Sequence, residues 1–234
     1  MVDFAGRHVI ITGGAGALGT AVTALLLEAG AHCRIPYRRA ADAERFAHRG
    51  HERVTMIGDS DLADETAVVR LYDGAPSLWA SIHLAGGFAA APLAKTAKAD
   101  FAAQIETNLA SCFLCCREAV RAMQKSANGG RIVNVAARPA LEWRSGAGMA
   151  AYTASKAGVA ALTAALAEEV AKDGILVNAV APSIMDTAAN RKAMPKADFD
   201  AWPKVEEVAA TIAFLASPDN RVSRGGIVPV YGKS

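Results

Sequence analysis

Short apolar segments of strand length alternate along the chain with longer segments of helical periodicity. The segments predicted as strands are His8–Thr12, Cys33–Tyr37, Arg53–Ile57, Leu78–Leu84, Arg131–Ala137, Ile175–Val180 and Gly226–Val230. The helical patterns between them cover about Leu18–Ala29, Asp64–Leu71, Ala99–Lys125, Ala151–Lys172 and Val205–Ala216. Strands that alternate with helices are typical of βαβ units, so the pattern predicts an α/β fold with a doubly wound parallel sheet, the Rossmann fold.

One long segment, Ser183–Pro203, follows the sixth strand and shows no clear period. A connection of this length inside a compact domain usually has a function, such as covering a binding site. We predict a substrate loop here, in which Met194, Phe199 and Trp202 either contact the substrate or anchor the loop to the core. Because no repeat or low-complexity linker divides the chain, residues 1–234 are expected to form one domain.

The composition is that of an ordinary globular protein, with 52% hydrophobic and 21% charged residues. A net charge of +2 gives no electrostatic reason to expect a nucleic acid or an anionic membrane as partner. The N-terminus lacks the pattern of a signal peptide, and no apolar run is long enough to span a membrane. We therefore expect a cytoplasmic enzyme with a small-molecule substrate.

Four cysteines are present: Cys33 in a strand pattern and Cys112, Cys115 and Cys116 in a helical pattern. The CxxC spacing from Cys112 to Cys115 is compatible with a metal or redox site, but no second Cys or His pair follows at ligand spacing. The sequence therefore favours small, buried, reduced side chains and predicts no metal.

A glycine-rich turn, Thr12–Gly19, lies between the first strand and the first helix. Glycines let the backbone approach a pyrophosphate closely, and the helix N-terminus behind them supplies free N–H groups. A plain tight turn is the alternative, but the position after a strand and before a helix favours dinucleotide binding. The predicted cofactor contacts of this turn are Gly13, Gly14, Gly16, Ala17, Leu18 and Gly19.

The end of the second strand bears on the choice of cofactor. An acidic residue there takes the ribose hydroxyls of NAD, whereas Arg accommodates the 2′-phosphate of NADP. The chain has Tyr37, Arg38 and Arg39, with no carboxylate until Asp42. We predict that NADP(H) is favoured over NAD(H), with Tyr37 and Arg38 beside the cofactor; two solvated surface arginines are the alternative.

Tyr152 and Lys156 are four residues apart near the start of a helical pattern, and this spacing puts both side chains on one face. A nearby ammonium favours the phenolate, so Lys156 is expected to lower the pKa of Tyr152 towards the working range. The alternative is a packed tyrosine beside a solvated lysine. Together with the glycine-rich turn, the pair predicts a catalytic site.

Along nearly its whole length the chain resembles the short-chain dehydrogenase/reductase superfamily. The matching segments are Thr12–Gly19, Ala85–Gly87, Tyr152 with Lys156, and Asn178 through Pro182 to Thr187. The resemblance implies a nicotinamide-dependent oxidoreductase in which Tyr152 is the acid and Lys156 also holds the nicotinamide ribose. It further implies that the cofactor is lined by Asp61, Leu62, Ala85, Gly86, Gly87, Pro182, Ile184 and Thr187.

Asn108 resembles the family's helix asparagine, which positions a water near the lysine, and it is therefore a catalytic candidate. The alternative is a helix-interior asparagine that makes a local backbone bond. The family's members usually form dimers or tetramers through the helices that correspond to Ala99–Lys125 and Ala151–Lys172, so the resemblance also implies a homodimer or homotetramer.

The chain departs from the family at the catalytic serine, where Ala136 and Ala137 stand and no hydroxyl is available. Ser145 lies further along, but nothing in the spacing places it in the site. His83 and Leu84 replace the usual pair of asparagines, and His83 is expected to be a strand or supporting residue rather than a catalytic one. Position 17 is Ala, which differs from the commonest glycine spacing.

These departures make the chain similar to the dihydropteridine reductases, most specifically over Asp186–Trp202. That likeness implies reduction of a quinonoid dihydropterin, or a similar activated imine or carbonyl, without a serine. The chain differs from those enzymes at Asn108 and at Tyr37 and Arg38. Two alternatives stay open: a 3-oxoacyl or other ketone reductase, and a regulator that binds NADP(H) without catalysis.

Overall fold

Within residues 2–75 and 77–234, seven parallel strands form the centre of the protein, in the order β3-β2-β1-β4-β5-β6-β7. The computed structural model describes residues 2–75 and 77–234. The strands are β1 His8–Thr12, β2 His32–Pro36, β3 Val54–Ile57, β4 Leu78–His83, β5 Gly130–Val135, β6 Ile175–Pro182 and β7 Ile227–Val230. The predicted doubly wound parallel sheet is confirmed, and each predicted strand is present with ends shifted by at most two residues.

Helices cover both faces of the sheet. They are α1 Ala17–Glu28, α2 Ala40–Arg45, α3 Glu65–Asp73, α4 Lys98–Ile105, α5 Ser111–Ser126, α6 Arg138–Leu141, α7 Ala150–Glu169, α8 Ala188–Ala193 and α9 Val205–Ala216. Helices α1 and α9 pack together on one face, and α3, α5 and α7 enclose a second core on the other. Burial of strand residues on both faces explains why the strands have continuous apolar segments rather than alternating ones.

The long helix predicted over Ala99–Lys125 is interrupted. Helices α4 and α5 are joined by a π-helical turn at Glu106–Ala110, which contains Asn108. Such turns insert an extra residue into a helix and are frequent at functional sites. The polar and apolar pattern does not reveal the turn, because it shifts the helical phase by only one residue.

The segment Ser183–Pro203 also differs from the prediction, since it contains α8 and a short helical turn at Phe199–Ala201. Its ends are joined by a parallel bridge between Asp186 and Lys204. The loop is therefore an ordered structure that folds back on itself. No helix within residues 2–75 and 77–234 is long and apolar enough to cross a membrane.

The strand order reverses between β1 and β4, and the crevice opens at the carboxyl ends of these strands. In open parallel sheets, ligands bind at this switch point. The segments that follow β1, β4, β5 and β6 meet there, and they contain most of the residues predicted for the site.

Candidate active site

The glycine-rich turn after β1 leaves no room for side chains at three of its positions. Gly13 has φ +67°, and a Cβ there would lie 2.7 Å from the Ala85 nitrogen. A Cβ on Gly14 would lie 2.9 Å from the Ile35 side chain, and one on Gly19 would overlap the Gly13 carbonyl oxygen. The turn therefore packs closely against the segment after β4, the Ile35 side chain of β2 and the start of α1.

The N-terminus of α1 is open to a ligand. Gly16 is the N-cap, no side chain caps the helix, and its first turn contains no acidic residue. The free N–H groups and the positive end of the helix dipole fit a pyrophosphate. The residues present therefore match the dinucleotide that the sequence predicts, with Ala17 and Leu18 in the first turn of α1.

A cleft of about 640 Å³ runs from this turn past the end of β2. Arg38 lies in it, two-thirds exposed, and makes a long ion pair of 3.8 Å with Asp61. Arg39 is held differently, by hydrogen bonds of 2.9 and 3.0 Å to Asp42. The cleft also contains Gly13, Gly16, Tyr37, Leu62, Ala85 and Gly86, all predicted cofactor residues.

A second cavity of about 330 Å³ adjoins the same turn on its other side. It brings together Tyr152 and Lys156 from α7, the turn, and the segments that follow β4, β5 and β6. Its remaining predicted residues are Gly13, Gly16, Ala17, Leu18, Gly19, Gly86, Gly87, Pro182 and Thr187. Tyr152 and Lys156 therefore share one cavity with the glycine-rich turn.

Lys156 is buried, with 6% of its surface exposed. Its ammonium group donates a hydrogen bond of 2.8 Å to the Val135 carbonyl oxygen at the end of β5. Burial lowers the pKa of Lys156 to about 8. The cation is therefore held at the cavity by a single backbone acceptor from the sheet.

Tyr152 is half-buried, and its ring meets the edge of Phe88 at 5.0 Å between centroids and 83° between planes. Burial raises the pKa of Tyr152 to about 12. The sequence predicted the opposite direction, because the spacing puts Lys156 on the same helix face but does not reveal how deeply the phenol lies. In this structure desolvation dominates, and the hydroxyl stays protonated at neutral pH.

Asn108 bridges three elements. Its side-chain oxygen accepts a hydrogen bond of 2.9 Å from the Gly87 nitrogen, and its amide donates to the Gly87 oxygen at 3.0 Å and to the Ser155 hydroxyl at 3.2 Å. These partners are 21 and 47 residues away, so the alternative of a local backbone bond is wrong. Asn108 fixes the segment after β4 against α7, next to Lys156.

No serine hydroxyl occupies the usual position at the end of β5. Ala136 and Ala137 line the cavity there. Ser145 does not replace them, because its hydroxyl donates to the Glu142 carbonyl oxygen at 2.7 Å outside the cavity lining. The hydroxyl groups that do line the cavity belong to Tyr152, Ser183 and Thr187.

The segment after β6 corrects one prediction. Ile184 is 43% exposed and is not among the residues that line the cavity. Its neighbours Ser183 and Met185 line the cavity instead. Thr187 caps α8, accepting a hydrogen bond of 3.2 Å from the Asn190 nitrogen, and Asn190 also lines the cavity.

Two aromatic residues of the loop pack against each other and do not line the cavity. Trp202 is buried and packs against Phe199 at 5.1 Å between ring centroids. Neither these two residues nor Met194 belongs to the cavity lining. Asp186 holds the base of the loop through Arg191 and Lys204, with the shortest oxygen-to-nitrogen separation 2.6 Å in each pair, and these partners keep its pKa well below the usual range.

Sequence reasoning missed Phe88, Ser183, Met185 and Asn190 as cavity residues. For Phe88 a signal existed, since it directly follows Ala85–Gly87 at the end of β4. His83 is buried within the sheet, as expected, and does not line the cavity. All four cysteines are buried and free.

The short chain dehydrogenase family model matches residues 7–198. Galactitol 2-dehydrogenase of Rhizobium johnstonii is 34% identical over 96% of this chain and 93% of its own. A 3-oxoacyl-(acyl-carrier-protein) reductase of Rickettsia felis is 31% identical over 99% of this chain and 98% of its own. The solved structure "ElxO with NADP Bound" has a TM-score of 0.86 and 28% identity, and the match covers 97% of both chains. This protein belongs to the short chain dehydrogenase family and is an NAD(P)-dependent oxidoreductase.

Proposed function

We propose that this enzyme reduces an activated, conjugated imine or carbonyl compound, with Tyr152 as the proton donor. The carrying observation is the cavity itself, which is lined by Tyr152 and Lys156 together with Ala136 and Ala137. A simple ketone needs a hydroxyl that orients and polarises its oxygen, and the alanines supply none. A substrate already polarised by conjugation needs only a proton at the heteroatom that hydride attack makes basic.

The chain's residues divide this work among them. The nicotinamide supplies the hydride when it is bound. Tyr152 donates its proton to the substrate's nitrogen or oxygen, and its raised pKa keeps that proton in place beforehand. Lys156 binds the ribose hydroxyls and its charge stabilises the phenolate that forms. Asn108 holds the Gly87 backbone at a fixed position relative to α7 through its hydrogen bonds to both. We propose that it also supports a water relay to Lys156.

The cavity favours a flat substrate. The Phe88 ring is 64% exposed, yet it lies against Tyr152 at the cavity. An exposed aromatic ring beside the acid provides a stacking surface for a planar heterocycle. Together with the likeness of Asp186–Trp202 to dihydropteridine reductases, this supports a quinonoid dihydropterin as the specific substrate.

The test is a steady-state assay with a quinonoid dihydropterin and either NADPH or NADH. We expect turnover above the non-enzymatic rate, and Phe88→Ala is expected to raise KM with a smaller effect on kcat. Phe214→Ala, at an exposed phenylalanine on α9 outside the cavity, is the matched control. No turnover with either cofactor would exclude the dihydropterin.

The relatives favour a second candidate, a 3-oxoacyl or other ketone reductase, because one similar protein carries the name 3-oxoacyl-(acyl-carrier-protein) reductase. Turnover of an oxoacyl thioester with no turnover of the dihydropterin would establish it. The third possibility, a regulator that binds NADP(H) without catalysis, predicts tight binding and no turnover on either substrate. Tyr152, Lys156 and Asn108, all retained at the site, count against it.

We infer that NADP(H) is preferred, because Arg38 is two-thirds exposed in the cleft and only loosely paired with Asp61. Arg38→Ala is expected to weaken NADPH binding by roughly tenfold or more, since it removes a charged contact to the 2′-phosphate, and to leave NADH binding nearly unchanged. Fluorescence titration with both cofactors measures this. Arg49→Ala, an exposed arginine outside the cleft, is the control; equal losses for both cofactors from Arg38→Ala would contradict the preference.

The pKa of Lys156 sets an expected pH limit. The ammonium group loses its proton as the pH rises through about 8, whereas Tyr152, with a pKa of about 12, stays protonated. We therefore expect kcat/KM for reduction to be steady at lower pH and to fall above about pH 8. A pH profile of kcat/KM reports the groups of the free enzyme. A value that stays constant to about pH 10 would contradict this role of Lys156.

We propose that the enzyme forms a homodimer or homotetramer through α4, α5 and α7. Phe101 on α4 and Phe113 on α5 are nearly half exposed, and burying them against a second copy would be favourable. Light scattering at micromolar concentration is expected to give a mass of two or four chains.

A further inference from the structure

A cluster of soft metal ligands lies in the core, apart from the cavity that holds Tyr152. His83, at the end of β4, meets Cys112 and Cys116 on successive turns of α5. The imidazole nitrogen and the two sulfur atoms all lie within 4.8 Å of one another, and all three residues are buried. None of them lines either cavity of the active site.

Asn134 on β5 adds a fourth potential ligand atom to this cluster. Its side-chain oxygen is 2.8 Å from His83 Nδ1 and 3.5 Å from Cys116 Sγ. Its amide nitrogen donates to the Thr163 hydroxyl at 2.9 Å, which turns the oxygen towards the cluster. Two sulfurs, one nitrogen and one oxygen thus converge from three different elements.

The distances between these ligand atoms agree with tetrahedral coordination of one ion. Zinc–sulfur and zinc–nitrogen bonds of about 2.3 and 2.0 Å put sulfur and nitrogen ligands about 3.6 Å apart at the tetrahedral angle. Cys116 Sγ lies 3.5 Å from His83 Nδ1. The nitrogen and oxygen of His83 and Asn134 are closer than this and have to separate by about half an ångström.

The surroundings also suit a bound cation. Nε2 of His83, the nitrogen facing away from the sulfurs, lies 2.8 Å from the Ser81 hydroxyl and 3.2 Å from the Tyr72 hydroxyl. When Nδ1 binds the metal, Nε2 carries the proton and donates a hydrogen bond to these hydroxyl oxygens, which is the usual arrangement behind a histidine ligand.

We propose that His83, Cys112, Cys116 and Asn134 form a binding site for one thiophilic divalent cation of the Zn²⁺ class. Two thiolates neutralise the ion's charge, and binding releases the protons of both thiols to solvent. Sulfur and imidazole ligands select such an ion over Mg²⁺ or Ca²⁺. Because the ligands are buried, the ion is acquired as the chain folds, and it ties α5 to β4 and β5.

The test uses Co²⁺ as the probe, because its visible absorption reports tetrahedral thiolate ligation. The full-length protein is refolded with Co²⁺, and bound metal is counted per chain. We expect one ion per chain with sulfur-to-cobalt charge-transfer bands, displaced by Zn²⁺. Cys112→Ser and Cys116→Ser are each expected to bind at least about tenfold more weakly and to lose those bands.

Cys115→Ser is the matched control, because Cys115 is buried on the same helix but is not part of the cluster. It is expected to bind Co²⁺ like the wild type, with far-UV circular dichroism confirming the fold of each variant. Less than one ion per chain in the wild type, or unchanged bands in Cys116→Ser, would overturn the proposal. Should the cysteine variants fail to fold, the ¹¹³Cd resonance of the wild-type protein decides: a shift typical of two sulfur ligands supports the site, and one typical of oxygen or nitrogen ligands alone overturns it.

Discussion

Replacement of Tyr152 by phenylalanine is expected to lower kcat by roughly a hundredfold to ten-thousandfold, the usual range for removing a general acid. The change removes the phenolic proton and leaves the ring, which packs edge-on against Phe88. Because burial holds the pKa of Tyr152 at about 12, nearly every molecule carries that proton at neutral pH. No second hydroxyl at Ala136 or Ala137 is available to take over the role.

The measurement is kcat with the quinonoid dihydropterin or the oxoacyl thioester, whichever the wild type turns over faster, together with the dissociation constant for NADPH. Cofactor affinity is expected to stay close to that of the wild type, because the phosphate-binding turn is untouched. Tyr231→Phe is the matched control, since the Tyr231 side chain contacts Arg138 and does not line the cavity. A Tyr152→Phe enzyme that keeps more than about a tenth of its kcat would show that another group donates the proton.

Gly19→Ala is expected to have the largest effect on cofactor binding. The new Cβ would overlap the Gly13 carbonyl oxygen and lie 2.5 Å from the Gly14 Cα. Both neighbours are backbone atoms of the glycine-rich turn, which we propose to bind the pyrophosphate, so relief requires the turn to open. We expect NADPH to bind at least about a hundredfold more weakly, and the protein to be destabilised by about 1–3 kcal/mol through overpacking.

Fluorescence titration gives the affinity, and thermal unfolding with and without NADPH gives the stability. Gly50→Ala is the control, because a Cβ at this exposed position would meet nothing within 4 Å. It is expected to match the wild type in both measurements. If Gly19→Ala binds NADPH within about tenfold of the wild type, the close approach of α1 to the turn is not required for binding.

The strands and long helices were predictable because their signal is local. β1 and α9 have the predicted ends, since buried parallel strands are short apolar runs and long amphipathic helices repeat their apolar positions. The short helices α2, α6 and α8 were missed, because four to six residues are too few to show a period. The loop predicted over Ser183–Pro203 was ordered by Asp186, whose partners include Lys204, 18 residues away.

The residues of the candidate site were likewise predictable only where the signal is local in the sequence. Tyr152 and Lys156 are one helical turn apart, and the turn from Gly13 to Gly19 is a continuous segment, so both were visible in the sequence. The sequence did not reveal the side-chain directions of Ile184, Trp202 and Phe199, because these directions depend on what the loop packs against. The spacing of the cysteines likewise concealed His83, which precedes them by about thirty residues and reaches them only through the packing of α5 on β4.

By itself the sequence determined the parallel α/β fold, the glycine-rich turn after β1, the Tyr152–Lys156 spacing and the absence of a serine at the end of β5, because each depends on residue types at short separations. Only the tertiary structure decided the raised pKa of Tyr152, the lowered pKa of Lys156, the bridging role of Asn108 and the meeting of His83 with Cys112 and Cys116. These properties depend on burial and on partners distant in the chain. Desolvation and long-range contacts arise only when the helices close over the sheet.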